Sequence, residues 1–463
     1  MIKNLSMIGL GKLGAPLAAC WGAKGFRVIT VDVDARKVEA IKRGMSPVFE
    51  PGVAELLRRA KGRVTATADA EAAVLDSEVT FIVVPTPSEP DGGFSLRYVL
   101  PACQSIGRAL RAKSDFHLVV LTSTVMPGAT AAAVQSTLEE VSGKRCGLDF
   151  GLCYSPEFIA LGTVIRDFLN PDFVLIGESD PSSGAVLAAL YMSVCENSPP
   201  VARMNFVNAE ITKLAVNTFM TTKIGFANML ARICERLPDA NVDLVTSALG
   251  LDSRIGRKYL KGAVGYGGPC FPRDNVALAS LARDIGAPAM LAEATDRANR
   301  DEMSQLAELV KRKLPEGGIV GILGLAYKPG TDVVEESQGL LLAQELISEG
   351  VPVIAYDPSA TNAAHEKLNG SIRFAETFEA CVNNADVIVV TTPWELFRNI
   401  EPALVERHGT PRVLIDCWRI LDKKRFGSVV DYIALGVGIE SQKDDEGIET
   451  ESQTGNEEVQ HYG

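Results

Sequence analysis

The stretch Leu5-Ser6-Met7-Ile8-Gly9-Leu10-Gly11-Lys12-Leu13-Gly14-Ala15-Pro16-Leu17-Ala18-Ala19-Cys20-Trp21 decides the fold. An apolar run over Leu5–Leu10 enters a glycine turn, and Ala15–Trp21 then reads as a helix. A second apolar run, Arg27–Val33, follows, and its core Val28–Val31 ends at Asp32. Strand, glycine turn, helix, strand is the grammar of a doubly wound parallel sheet. Gly9, Gly11 and Gly14, with Lys12 and Leu13 between them, form a GxGxxG directly after a strand. Such glycines let the backbone turn tightly and approach a pyrophosphate, whose charge meets the helix N-terminus. Alone the motif is weak, and an ordinary tight turn would explain it. Asp32 strengthens it, because an acid about 20 residues on can accept hydrogen bonds from an adenosine ribose. An acid there also disfavours a 2′-phosphate, so the expected cofactor is NAD rather than NADP. Asp34 reads equally well as a second ribose contact or a solvated loop acid.

Outward from this unit, further strands are expected at Val79–Val84, His117–Thr122 and Phe173–Gly177, with helical stretches such as Leu96–Arg111 between them. From Asn205 to Leu237 the pattern becomes one long helix. Strand–turn–strand grammar restarts at Gly317, with runs at Gly318–Leu323, Val351–Tyr356, Asp386–Thr391 and Arg412–Asp416. The second start, Gly321-Ile322-Leu323-Gly324, has only two of the glycines, although Asp357 ends its next strand. The expected fold is therefore α/β, with two Rossmann-like doubly wound domains joined by a long central helix. The domains run over 1–204 (NAD-binding), 205–300 (helical) and 315–440 (a second Rossmann-like domain). Residues 441–463, rich in Glu, Asp, Gln, Ser, Thr and Gly, read as a disordered acidic tail.

Composition narrows the class. The 463 residues exceed one ordinary core, and 46% apolar with 22% charged residues suits a soluble globular chain. A net charge of −12 argues against a nucleic-acid or anionic-membrane partner held by broad electrostatics. Nine scattered cysteines show no CxxC and no metal-ligand spacing, and the four histidines are isolated. No metal is expected, and the pattern suits reduced cytosolic thiols. With no basic-then-apolar leader before the first strand and no apolar run of ~18 residues, the expected location is cytoplasmic.

The most informative chemical segment is Gly265-Tyr266-Gly267-Gly268-Pro269-Cys270-Phe271-Pro272-Arg273-Asp274. Its glycines allow a ligand to approach, and a helix start at Cys270 would lower the thiol pKa through the helix dipole. Asp274 would then lie one turn later on the same face, suiting covalent chemistry with general-base help. A structural thiol is the plain alternative for any lone cysteine, and here the two readings balance. Lys213 and Asn217 share a face of the long helix. Among Ile211, Leu214, Ala215 and Val216, a lysine that snorkels its ammonium to water is the favoured reading. The alternative is a fixed charge for a developing oxyanion.

Along about residues 1–440 the chain resembles the UDP-glucose/GDP-mannose dehydrogenase family. The resemblance is carried by Ile8–Gly14, Val84-Pro85-Thr86-Pro87 with Asp91-Gly92, Ser123-Thr124-Val125, and Ser155-Pro156-Glu157-Phe158. It continues through Glu210–Asn217, Arg254–Asp274, and Leu325-Ala326-Tyr327-Lys328 with Asp332. It implies an N-terminal NAD domain, a central dimerising region, a C-terminal domain for the nucleotide diphosphate, and two successive oxidations of a sugar 6-hydroxyl. Cys270 would trap the aldehyde as a thiohemiacetal and carry it on as a thioester. Lys213 would stabilise the oxyanion, Asn217 position the reacting groups, and Asp274 assist proton transfer through water. Glu157 matches the acid of thioester hydrolysis. Thr124 matches a residue near nicotinamide and water, in a cofactor segment with Pro85, Thr86 and Ser123. Phe158, Gly267, Lys261 and Lys328 match substrate-facing positions, and Arg254 matches an arginine donated across a dimer interface. Arg419, in the loosely fitting Asp416-Cys417-Trp418-Arg419, matches a substrate-contacting arginine.

Several positions depart from the family. Glu335 stands where an arginine is frequent, Leu161 where many UDP-glucose enzymes have Glu, and Phe173 where Arg is common. Pro269 replaces a frequent Ser, and Arg273 a frequent Lys. The implied substrate is a nucleotide sugar, first UDP-glucose giving UDP-glucuronate. A UDP-N-acetylhexosamine or GDP-mannose 6-dehydrogenase is the runner-up. A two-electron hydroxyacid-type dehydrogenase would leave the cysteine idle, and a non-catalytic binding protein would have no use for Lys213, Asn217, Cys270 and Asp274 together.

Overall fold

The computed structural model describes residues 2–440 except 408 and 410; the expected tail over 441–463 lies outside the described residues. Eight strands build the first sheet: β1 (Asn4–Ile8), β2 (Arg27–Val31), β3 (Val64–Thr67), β4 (Val79–Ile82), β5 (Leu118–Leu121), β6 (Gly151–Tyr154), β7 (Val174–Glu178) and β8 (Val201–Met204). Their spatial order is β3-β2-β1-β4-β5-β6-β7-β8, with only β6–β7 antiparallel. Ile8 is in register with Val31 on one side and Ile82 on the other, so strand order reverses at β1. The crevice outside the strand ends at such a reversal is where doubly wound sheets bind ligands. The strands read as apolar runs because helices cover both faces, and each fully buried Val, Leu or Phe contributes roughly 1.5–3 kcal/mol.

The long helix spans Phe206–Cys234, with Asn205 as N-cap accepting from the Asn208 amide. Two more long helices follow, Phe271–Asp284 and Met290–Lys313, and both pack on it. The second sheet comprises β9 (Val320–Leu323), β10 (Val353–Tyr356), β11 (Arg373–Phe374), β12 (Val387–Val390), β13 (Val413–Asp416) and β14 (Asp431–Ala434). It is fully parallel, in the order β11-β10-β9-β12-β13-β14.

The two Rossmann-like units share one glycine device. A Cβ on Gly14 would stand 2.0 Å from the Gly9 carbonyl oxygen, and one on Gly339 would stand 2.0 Å from that of Gly324. Gly339, beyond residues 325–338, is the third glycine that a compact motif search misses. Asp32 accepts from Leu10 N and Asp357 from Leu325 N, both at 2.8 Å. Asp34 caps the next helix, accepting from the Arg36 amide at 2.9 Å. No helix among the described residues is long and apolar enough to cross a membrane.

Candidate active site

The glycine loop fits a dinucleotide. Gly9 adopts φ +112° against the Val83 carbonyl, and Gly14 packs on Gly9, so neither tolerates a side chain. Gly11 instead faces open space, with nothing within 4 Å of a Cβ placed there. That face is therefore open for a ligand to approach. Lys12 forms an ion pair with Asp332, which ties the loop to the C-terminal domain. Across the crevice, Thr86 Oγ1 donates to the Thr124 carbonyl at 2.7 Å, and Ser123 Oγ donates to the Val84 carbonyl at 2.7 Å. Pro85, Thr86, Ser123 and Thr124 thus form one knot at the ends of β4 and β5. Glu210, fully buried on the long helix, accepts from Gly128 N at 2.6 Å and Thr130 N at 2.8 Å, locking the following turn.

Cys270 is the N-cap of the helix Phe271–Asp284, and Asp274 N donates to its carbonyl at 2.8 Å. Cys270 is the one cysteine exposed as a residue among the described residues. The expected lowering of its pKa is not found. Protein crowding desolvates the thiol and Asp274 repels the thiolate, pushing the pKa up, while Lys213 and Arg273 pull it down by less. Proton removal from Cys270 therefore needs a base or an approaching cation.

Asn217 Nδ2 donates to Asp274 Oδ2 at 2.6 Å, joining the long helix to the cysteine helix. Asp274 is buried, and its Oδ1 has no hydrogen-bond partner. Arg273 Nε stands 3.5 Å from that oxygen. Arg273 also donates to the Thr86 carbonyl at 3.0 Å and lies 4.4 Å over the Phe94 ring, linking the cysteine helix to the cofactor side. Here the arginine has a structural task that its position in the sequence did not reveal.

Lys213 does not snorkel. It is 7% exposed, and its ammonium donates to the Glu157 carbonyl at 2.7 Å while lying 4.6 Å from the Phe158 ring centroid. Phe158 packs on Phe173 at 4.7 Å, so an aromatic pair fills the place where an arginine was the family expectation. The Glu157 carboxyl accepts from Tyr191 Oη at 2.9 Å, and burial pushes its pKa up to about 7 despite that bond and nearby Lys213.

The second domain closes on the cysteine loop. Gly268 N donates to the Glu335 carbonyl at 2.9 Å, Gly267 rests on the Glu336 carbonyl, and Gly268 packs against the Tyr327 ring. Lys328, whose pKa is lowered by desolvation, is within electrostatic reach of Asp167 and Glu50. Glu50 in turn accepts from Gly162 N and Val164 N at 2.8 and 3.0 Å, and Gly162 abuts Gly330. Three of the expected substrate residues stand apart from this cluster. Arg254 is exposed and pairs with Asp252 at 2.6 Å, and Lys261 is exposed near Asp243. Arg419 is almost fully buried, bound to Asp243 at 2.7 Å and donating to the Leu435 carbonyl at 2.6 Å.

Comparisons with known proteins identify the family. Residues 3–195 match the NAD binding domain of the UDP-glucose/GDP-mannose dehydrogenase family, 207–301 its central domain and 321–423 its UDP binding domain. A UDP-glucose 6-dehydrogenase of Haloferax volcanii is 37% identical over 91% of this chain and 98% of its own. A GDP-mannose 6-dehydrogenase of Pseudomonas putida is 34% identical over 85% of this chain and 92% of its own. The structure of a UDP-glucose dehydrogenase from the archaeon Pyrobaculum islandicum superposes with a TM-score of 0.86 at 33% identity, covering 94% of this chain and 98% of that one. The chain belongs to the UDP-glucose/GDP-mannose dehydrogenase family and is an NAD-dependent nucleotide-sugar dehydrogenase.

Proposed function

We propose that the protein oxidises UDP-glucose to UDP-glucuronate in two steps, with Cys270 as the covalent nucleophile. The observation that carries this reading is the convergence of Lys213, Asn217, Cys270 and Asp274 from two helices, with Asn217 bonded to Asp274 at 2.6 Å. NAD supplies the hydride acceptor for both oxidations. Cys270 Sγ bonds to the aldehyde carbon as the aldehyde oxygen gains the thiol proton. Loss of a hydride and of that proton leaves a thioester, which water cleaves to carboxylate and free thiol. The buried Lys213 ammonium stabilises the oxyanion at each tetrahedral stage. Asp274, whose Oδ1 accepts no hydrogen bond, takes protons through water. Glu157, with a pKa of about 7 but its carboxyl held by Tyr191 in this state, would have to swing toward the thioester to exchange protons during hydrolysis, and Thr124 orders the nicotinamide side. Gly9, Gly11, Gly14, Asp32 and the Pro85–Thr86/Ser123 knot hold NAD. Phe158, Gly267 and Lys328 would face the sugar nucleotide, while Lys261 would reach it only by moving in from beside Asp243.

UDP-glucose is favoured because relatives named UDP-glucose 6-dehydrogenase match nearly the whole chain. GDP-mannose is the second reading, favoured by the Pseudomonas relative. A homodimer or higher oligomer completes the proposal: Ile211, Phe219, Phe226, Met229 and Ile233 leave an apolar face of the long helix exposed, and Arg254 would reach a neighbour from the same region. The free cysteines support a reducing, cytoplasmic location. The deciding experiment incubates the protein with NAD and a panel of UDP- and GDP-sugars and counts NADH per sugar consumed. Two NADH and a uronate support the scheme and name the sugar. One NADH with an accumulating aldehyde or ketone would sink it.

A further inference from the structure

Glu157 lies in the segment between β6 and the helix that starts at Val164, and its own amide enters no backbone hydrogen bond of that segment. Yet its carbonyl is the one hydrogen-bond acceptor found for the Lys213 ammonium among the described residues, at 2.7 Å. Something else must fix that carbonyl. The candidate is behind it, in the core of the first domain. Tyr191, 3% exposed on the helix Pro181–Val194, donates from Oη to Glu157 Oε1 at 2.9 Å. Its ring is wedged against Trp21 and Phe168, each with centroids 6.2 Å away. Ser155 Oγ lies 3.2 Å from the tyrosine oxygen and 2.9 Å from the Leu175 carbonyl on β7. A rigid sheet and helix thus grip the side chain of residue 157, and its backbone grips the lysine.

We propose that Tyr191 is a positioning residue for the oxidation: its hydroxyl fixes Glu157, whose carbonyl sets where the Lys213 ammonium stands beside Cys270. A lysine ammonium has three N–H groups. With one on the Glu157 carbonyl and its flank on the Phe158 ring, the remainder is aimed by these contacts rather than by the flexible stem. This rests on the role of Lys213 given above, but it can be read without turnover. The groups acting on the Cys270 thiol are Asp274 and Arg273 from its own helix, Lys213 from the long helix and Tyr327 from the second domain. Lys213 is the first of the two that favour the thiolate. Displacing its ammonium must therefore make the thiolate harder to form.

The test compares wild type, Tyr191→Phe and Ser155→Ala in the full chain. Iodoacetamide labelling of the Cys270 peptide is followed by mass spectrometry across pH, alongside steady-state kinetics with NAD and UDP-glucose. Tyr191→Phe is expected to move the labelling midpoint to higher pH and to lower kcat about tenfold. Both KM values stay within about twofold. Ser155→Ala shifts labelling and kcat in the same direction by less. A Tyr191→Phe labelling curve that superimposes on wild type overturns the inference, as does a raised KM with unchanged kcat. If wild type makes no uronate from any sugar, the proposed function fails while the labelling curve still decides this point.

Discussion

Asn217 donates to Asp274 Oδ2 across 2.6 Å, and this bond is the direct side-chain tie between the long helix and the acid beside Cys270. Asp274 is 1% exposed, and its other oxygen accepts no hydrogen bond, with Arg273 Nε 3.5 Å away. Asn217→Ala leaves a buried carboxylate with one donor fewer, a loss of about 1.5–3 kcal/mol for a bond to a charged group. Expressed in the transition state, that lowers kcat on the order of 10- to 100-fold. Asn217→Asp sets a like charge against Asp274 and should be worse than alanine. Stopped-flow NADH formation checks both, and an aspartate variant faster than the alanine one would refute the assignment.

The glycines of the first loop should separate folding from cofactor binding. Gly14→Ala drives a Cβ to 2.0 Å from the Gly9 carbonyl oxygen, so it lowers the melting temperature. Gly11→Ala meets no protein atom within 4 Å. It should melt like wild type yet bind NAD about tenfold more weakly, because the added methyl occupies the face where the backbone must approach the pyrophosphate. Thermal melts with and without NAD read both effects.

Glu157 makes stability depend on pH in an unusual direction. Its folded-state pKa of about 7 lies above the usual carboxyl value of 4.5, so between those limits the native state binds more protons than the unfolded chain. Stability from this group is therefore present below pH 4.5 and lost as pH rises through about 7. Glu157→Gln, which stays neutral, should gain melting temperature at pH 8 relative to its change at pH 5. No difference would show that the carboxyl is ionised at no cost, and one of opposite sign that the fold favours the carboxylate.

Arg419 should act on stability more than on substrate affinity. Its guanidinium is 7% exposed and serves Asp243 at 2.7 Å, together with the carbonyls of Gly262 and Leu435. Lysine cannot reproduce that fork. Arg419→Lys is expected to lower the melting temperature while KM for the nucleotide sugar changes by less than about threefold. A large KM change with an unaltered melt would restore the substrate contact that family resemblance implies.

What could be read from the chain alone follows from how local each feature is. The glycine loop and Asp32 were legible because turn, helix start and strand end lie within one βαβ unit. Cys270 and Asp274 were legible because four residues make one helical turn. Lys213 looked like a snorkelling lysine because its neighbours in sequence are apolar. Burial by Phe158 and the Glu157 carbonyl, 56 positions away, decided otherwise. The strands Val64–Thr67, Gly151–Tyr154 and Val201–Met204 are no shorter than Leu118–Leu121, but small, polar or charged residues interrupt them, so they do not stand out as buried apolar runs. The thiol pKa was misjudged for a related reason: the helix start is local, but desolvation comes from everything packed around it.

The resting place of Gly267 and Gly268 on the backbone of residues 335–336 sets a rule for anyone recombining such enzymes. The Cys270 loop and the turn after Lys328 are one mould cast from two domains. A chimera cut near residue 300 would pair a cysteine loop with a foreign support, and Tyr327 with a foreign glycine. Swapping the recognition half of this protein for that of a relative should therefore succeed only when residues 265–274 travel with it.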